Sequence, residues 1–104
     1  MSPSKTSTII NRKDNRPGKD GTFELIIDSD RLGHLDYSLP DNATMTIDYV
    51  QVDPSLRGRG MGQQLVGAAV DWAREHARQV IPLCSYARAV MARTAGFQDV
   101  LAKR

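Results

Sequence analysis

The 104-residue chain has a single cysteine, so no internal disulfide can form, and no Cys/His cluster at metal-ligand spacing marks a structural metal site. Unbroken apolar stretches are only a few residues long, far short of the roughly 20 that span a bilayer. The start, Met1 to Arg16, is polar and lacks the apolar segment of a secretion signal, so the chain as given is expected to stay cytoplasmic and off membranes. Aromatic residues make up 6% of the chain and the net charge is +2. Both are too low for the dense basic face with interleaved aromatics that nucleic-acid binding favours. There is no internal repeat and no low-complexity segment. What remains, 40% hydrophobic and 25% charged, is the composition of an ordinary globular domain, and a chain of this length buries roughly 65% of its extended surface around one core.

The small net charge hides an asymmetry. Residues 1–52 hold 6 Lys/Arg against 8 Asp/Glu, whereas residues 53–104 hold 8 against 4. An anionic ligand is therefore expected on the second half.

The pattern along the chain predicts strands first and a crossover later. Thr6 to Asn11 is β-prone, and the charged run Arg12 to Gly21, with Pro17, Gly18 and Gly21, predicts a mobile loop, so that residues 1–21 form an N-terminal strand and loop ahead of a single domain over 22–104. Phe23, Leu25 and Ile27 alternate with polar residues, as do Leu35, Tyr37 and Leu39 after the Ser29-Asp30-Arg31 turn, which predicts a hairpin with one apolar face. A further strand spans Thr44 to Val52. Its apolar phase slips, because Met45 and Ile47 take odd positions while Val50 and Val52 take even ones; a β-bulge produces such a slip, and burial of both faces is the alternative. Next, Met61, Leu65, Val66, Ala69, Val70, Ala73 and Ala77 recur at helical spacing over about five turns. Gln79 to Cys84 reads as a short buried strand, Ser85 as the N-cap of a second helix with Tyr86, Ala87, Val90 and Met91, and Gly96 as its stop. The fold class is α+β: a mixed, mostly antiparallel sheet with a bulged central strand and two helices.

The stretch Arg57-Gly58-Arg59-Gly60-Met61-Gly62 between strand and helix carries the chemistry. Its glycines let successive N–H groups face one concavity, the helix start adds its positive end, and Arg57 and Arg59 add fixed charge, which together make an anion cradle. Neither the GxGxxG fingerprint nor the Walker loop fits this spacing.

In context the run from Val50 to Gly62 resembles the acetyl-CoA motif of the GNAT superfamily of N-acetyltransferases, Q/R-x-x-G-x-G/A, with Arg57, Gly60 and Gly62 on the fixed positions. Pro82-Leu83-Cys84-Ser85-Tyr86 is similar to the Pro-x-Cys-x-Tyr segment of a group of very small, single-domain GNAT-like proteins. The resemblance implies that acetyl-CoA, as co-substrate and without a metal, lies in a V between Val50, Gln51 and Val52 on one side and Val80 to Leu83 on the other. Its pyrophosphate would rest on Arg57, Gly58, Arg59, Gly60, Met61 and Gly62, with amides near Gln51 facing the tetrahedral oxyanion. Cys84 is then a candidate nucleophile or acetyl carrier beside the cofactor, or else a small core hydrophobe. Tyr86 is a candidate proton donor to the departing thiolate, or ordinary packing. Tyr49 stands where the small group more often has histidine, which removes an obvious base, and Asp48 is the neighbouring carboxylate. His34 is expected on the polar side of the hairpin, His76 beside a helix end, and Trp72 in packing. The implied activity is acetyl transfer to an amine on a protein, a polyamine or a small molecule. The acceptor site would be open or completed by a second subunit in a homodimer, since little chain follows Phe97. A CoA-binding module without turnover, self-acetylated on Cys84, and a small nucleic-acid-binding protein are the readings from other classes.

Overall fold

The computed structural model describes residues 8–56 and 58–102. Five strands, β1 (Thr8–Arg16), β2 (Asp20–Ile27), β3 (Asp30–Ser38), β4 (Thr44–Val52) and β5 (Gln79–Pro82), lie side by side in chain order. The first three junctions are antiparallel and β4 pairs β5 in parallel. Helix α1 (Met61–Glu75) makes the crossover between the parallel pair, and α2 (Ser85–Arg93) follows β5. The expected α+β architecture, with a mostly antiparallel mixed sheet and two helices, is the one observed. Among the described residues no helix is long and apolar enough to cross a membrane.

Both helices pack on one face of the sheet. That face supplies Phe23, Leu25, Leu35, Tyr37, Met45 and Ile47, all buried, against Leu65, Val66, Ala69, Val70 and Ala73 of α1 and Ala87, Val90 and Met91 of α2. Alternation along the strands sends the remaining side chains to the opposite face. The register places Glu24 beside His34 and His34 beside Gln51, and likewise Thr22 beside Asp36 and Asp36 beside Tyr49, on that uncovered side.

The phase slip in β4 is a bulge. Asp36 pairs with Tyr49 while the next residue, Tyr37, pairs with Ile47, which leaves Asp48 as the extra residue. The insertion lets Ile47 and Val50 both turn toward the helices. The carboxylate of Asp48 stays outside, where it accepts hydrogen bonds from the hydroxyls of Ser38 and Thr46.

The charged run Arg12 to Gly21 is not a loop. Arg12 to Arg16 continue β1, a tight turn follows, and β2 begins at Asp20, with Arg16 forked onto the Asp20 carboxylate at 2.8 and 2.6 Å. As an edge strand, β1 has most of its side chains in water, so charge replaces alternation and its strand character is masked. Arg12 is held by tertiary partners. It reaches over α1 to lie 5.3 Å from the centre of the Trp72 ring and donates to the phenol of Tyr37 at 2.8 Å. Trp72 also stacks on His76, with ring centres 4.0 Å apart. The proposed beginning of the first strand, before Thr8, lies outside the described residues.

Other boundaries shift for local reasons. The β2–β3 turn is the pair Asp28-Ser29, both with positive φ, rather than Ser29 to Arg31. Helix α1 spans 15 residues, about four turns, and stops before Ala77, which adopts φ 55° just past the His76 C-cap. Strand β5 ends at Pro82; Cys84, in extended conformation, is the N-cap of α2, and Ser85 is its first helical residue. The second helix ends at Arg93, and Gly96 lies in a separate 3-10 turn, Ala95–Phe97. Arg74 fastens this last segment to α1: its guanidinium donates to both oxygens of Asp99 at 2.8 and 2.7 Å and to the carbonyl of Gly96 at 2.6 Å. Beyond it, Leu101 bridges the outer edge of β5 at Val80.

Candidate functional site

The two central strands part company. Residues Thr44 to Ile47 pair with Gln79 to Pro82, and the pairing stops there, so the bulge at Asp48 marks the crotch of a fork. The carbonyl of Ile47 closes the fork by accepting from the N–H groups of Leu83 at 2.9 Å and Cys84 at 3.2 Å. Beyond it, Tyr49 to Val52 are bonded to β3 on one side and to no described strand on the other. Val50 and Val52 lie half-buried on the helix side, and Gln51 is exposed on the uncovered face. The segment therefore offers backbone donors and acceptors to whatever enters the fork.

A tight turn joins this open edge to α1. Asp53 accepts from the Ser55 hydroxyl and from the Ser55 N–H, the latter at 2.9 Å, an arrangement that holds its carboxyl below the usual range, and Pro54–Leu56 form a 3-10 turn. Arg57 lies outside the described residues. Gly58 and Gly60 have φ of +78° and +74°, the left-handed region that glycine enters without strain, and Gly60 is the N-cap of α1. No side chain caps that helix and its first turn holds no acidic residue. The N–H groups of its opening turn thus face outward with the positive end of the macrodipole behind them, and the exposed Arg59 stands beside them. The left-handed φ at Gly60 makes glycine the residue this turn requires. Gly62 is different: it lies within α1, is buried, and has no positive φ.

The candidate reactive side chains fall on two sides of the fork. Cys84 lies on the helix side, partly buried against the core at the start of α2. Tyr86, on the first turn of α2, packs against Gly62 and is 41% exposed. Tyr49 lies on the uncovered face and is 49% exposed. The structure brings Cys84 and Tyr86 to the same helix start and leaves Tyr49 across the sheet from them. It also adds a neighbour that linear spacing hides. The ring of His34 lies 5.8 Å from that of Tyr49, and its Nε2 is 3.7 Å from a carboxylate oxygen of Asp36, so an imidazole stands next to the position where the sequence lacks one. The register of β3 against β4, His34 opposite Gln51 and Asp36 opposite Tyr49, makes that pair.

A shallow cleft of about 240 Å³ extends from His34 and Gln51 past Arg31 to Asp53 and Pro54, along the open end of β4. On the far side of β5, Ile81, Pro82, Leu83 and Leu101 line a second hollow of about 460 Å³. Among the described residues no group of three or more His, Cys, Asp and Glu side chains is placed to hold a metal ion.

A splayed parallel pair, a bulge at the crotch and a helix N-terminus opening onto it thus meet at one place in this α+β domain. The model of the GCN5-related N-acetyl-transferase family matches residues 22–100. The chain belongs to this family, and its domain is that of an acetyltransferase. A GCN5-like protein from Staphylococcus aureus, solved in solution by NMR, shares 28% identity over 92% of this chain and 89% of its own, with a TM-score of 0.72. The same fold recurs at lower identity. A GNAT acetyltransferase from Elizabethkingia anophelis with acetyl-CoA bound is 12% identical, over 83% of this chain and 72% of its own, with a TM-score of 0.67. An aminoglycoside N-acetyltransferase in complex with CoA is 13% identical, over 99% and 93%, with a TM-score of 0.69. No curated protein matches the chain.

Proposed function

We propose that the protein transfers the acetyl group of acetyl-CoA to an amine, with the co-substrate held in the β4–β5 fork and its pyrophosphate on the α1 cradle. The observation that carries this reading is the coincidence, at one place, of an unpaired strand edge past Ile47 and an uncapped helix N-terminus introduced by the left-handed Gly60. The solved relatives with CoA or acetyl-CoA bound support it. Gly58, Arg59, Gly60, Met61 and Gly62, together with Arg57, would bind the phosphates, while the edge of Val50, Gln51 and Val52 would hydrogen-bond the pantetheine arm.

Acetyl-CoA supplies a thioester carbonyl; the chain supplies position, charge and proton traffic. An amine nitrogen attacks that carbonyl, the C–S bond breaks, the nitrogen gives up a proton and the thiolate gains one. Backbone N–H groups on the open edge of β4 would stabilise the oxyanion between these two steps. On the uncovered face, the His34 imidazole, between Tyr49 and Asp36, would receive the amine's proton. Cys84, at the positive end of α2, is the candidate acetyl carrier for a two-step route, in which its sulfur takes the acetyl group from the thioester and passes it to the amine. The Pro82, Cys84 and Tyr86 spacing supports placing the chain among the very small single-domain members of the family. The hollow beside β5 leaves room for a second subunit to complete the acceptor site.

The test is calorimetric titration of the wild type and of Arg59→Glu with acetyl-CoA and CoA. Arg59 is exposed, so reversing its charge leaves the fold intact. Micromolar binding that weakens about tenfold or more in the variant, and less so at high salt, is the expected outcome. Absence of binding to the wild type would overturn the proposal. With binding in hand, release of free thiol in the presence of candidate amines identifies the acceptor class, and retention of activity in Cys84→Ala selects direct transfer over the carrier route.

A further inference from the structure

Gly62 is a glycine for a reason the motif does not supply. It sits in the first turn of α1 with right-handed helical backbone, where alanine is ordinarily the more favourable residue. Its neighbour, as seated, leaves no room for a methyl group. A Cβ at this position would fall 2.6 Å from Cζ and 2.8 Å from Cε2 of Tyr86, and closer still to the phenol oxygen. The ring of Tyr86 therefore lies directly on the Gly62 backbone and accounts for the burial of that residue, while the ring itself keeps 41% exposure. Its hydroxyl has no hydrogen-bond partner among the described residues, so an acid O–H group is left at the mouth of the cradle whose first N–H groups no side chain caps.

The geometry points to Tyr86 as a cofactor-positioning residue that donates its hydroxyl to a phosphate oxygen on the α1 cradle, with Gly62 kept small to admit the ring. This rests on the acetyl-CoA reading above and assigns Tyr86 a different task from protonating the thiolate. The contact also has a structural consequence. Cys84 is the N-cap of α2 and Tyr86 belongs to its first turn, so seating the ring on Gly62 fixes the start of α2, and with it Cys84, against the start of α1.

Two experiments test the two halves. The first measures binding of CoA, of adenosine 3′-phosphate 5′-diphosphate and of acetyl-pantetheine to the wild type and to Tyr86→Phe, which keeps the ring and removes only the hydroxyl. The expected result is a loss of about tenfold for CoA and for the nucleotide fragment alike, with acetyl-pantetheine unaffected. Unchanged fragment binding, with an altered pH profile of kcat instead, would overturn the assignment and give Tyr86 the proton-donor role. If the unmutated protein ignores CoA, the acetyl-CoA reading itself fails, and this shows in the wild type before any variant is compared. The second is a thermal-unfolding cycle on Gly62→Ala, Tyr86→Ala and the double variant. Gly62→Ala is less favourable to Tm in the wild-type background than once the ring is gone, a coupling that the contact requires. Equal lowering in both backgrounds would show that Tyr86 is not what Gly62 makes room for.

Discussion

The antiparallel half of the molecule, β1 to β3, and the crossover half, β4 to α2, are stabilised in different ways. In the first, neighbours in space are neighbours in sequence: each strand returns along its predecessor through a tight turn, and exposed ion pairs such as Lys13 and Arg31 with Glu24 decorate the open face. Its apolar side chains wait for a partner that it does not contain. The second half provides that partner, since α1 and α2 bury Phe23, Leu25 and Leu35 from outside their own segment. It also carries the positive charge and the features of the fork, namely the bulge at Asp48, the left-handed Gly58 and Gly60 and a helix packed on Gly62, while the first half has register shifts of its own at Asp14/Arg16 and Leu25/Ile26. Antiparallel pairing makes the scaffold, and the bulge at Asp48, where β4 leaves β5, opens the fork at the junction.

The largest effect expected from this contrast is energetic. Leu65→Ala, in the fully buried centre of α1, should cost about 3 kcal/mol and lower Tm by more than about 10 °C. Ile9→Ala, at a 49% exposed position on β1, should change stability by less than about 0.5 kcal/mol. Similar losses for the two in thermal unfolding would show that the first half holds an independent core. Next comes the fork. Deleting Asp48 removes the extra residue, restores an unbroken β3–β4 register and lets β4 run on beside β5; acetyl-CoA affinity should fall at least about tenfold while the circular dichroism spectrum stays that of the wild type. Retained affinity would mean that the bulge does not create the site.

The smallest effect concerns the clamp between α1 and the C-terminal segment. The bidentate Arg74 guanidinium holds the Asp99 carboxyl below its usual range. A depressed folded-state pKa contributes stability above the unfolded value, near 4, and loses it as pH falls through the lower folded value. Asp99→Asn should therefore lower Tm by at most a few degrees at neutral pH, because the pair is exposed, and the gap to the wild type should close below about pH 4. A gap that persists in acid would assign the effect to something other than this ion pair. Any widening with added salt would argue the same way.

Much of this was legible before folding. Helical spacing of Leu65, Val66, Ala69, Val70 and Ala73 located α1, because a stripe of that period can only be buried on a helix. The slip between Ile47 and Val50 left two readings open, a bulge or burial of both faces, and the pairing of Asp36 with Tyr49 and of Tyr37 with Ile47 decided for the bulge. Strand character in Arg12 to Arg16 was hidden, because both faces of an edge strand are wet and charge carries no period. Ala77 looked like the next step of the stripe, yet the chain had already turned left-handed to leave the helix. The acidic residues of the uncovered face gave no sign of whether they met solvent or one another.

The sequence by itself determined the α+β class, the crossover, the phase slip in β4 and the glycine-rich turn before α1, because each depends on residues close in the chain and on local periodicity or φ. Tertiary structure alone decided that His34 stands beside Tyr49 and that the ring of Tyr86 rests on Gly62. Both contacts join residues from separate elements, and their distances are set by strand register and helix packing, which no local pattern encodes.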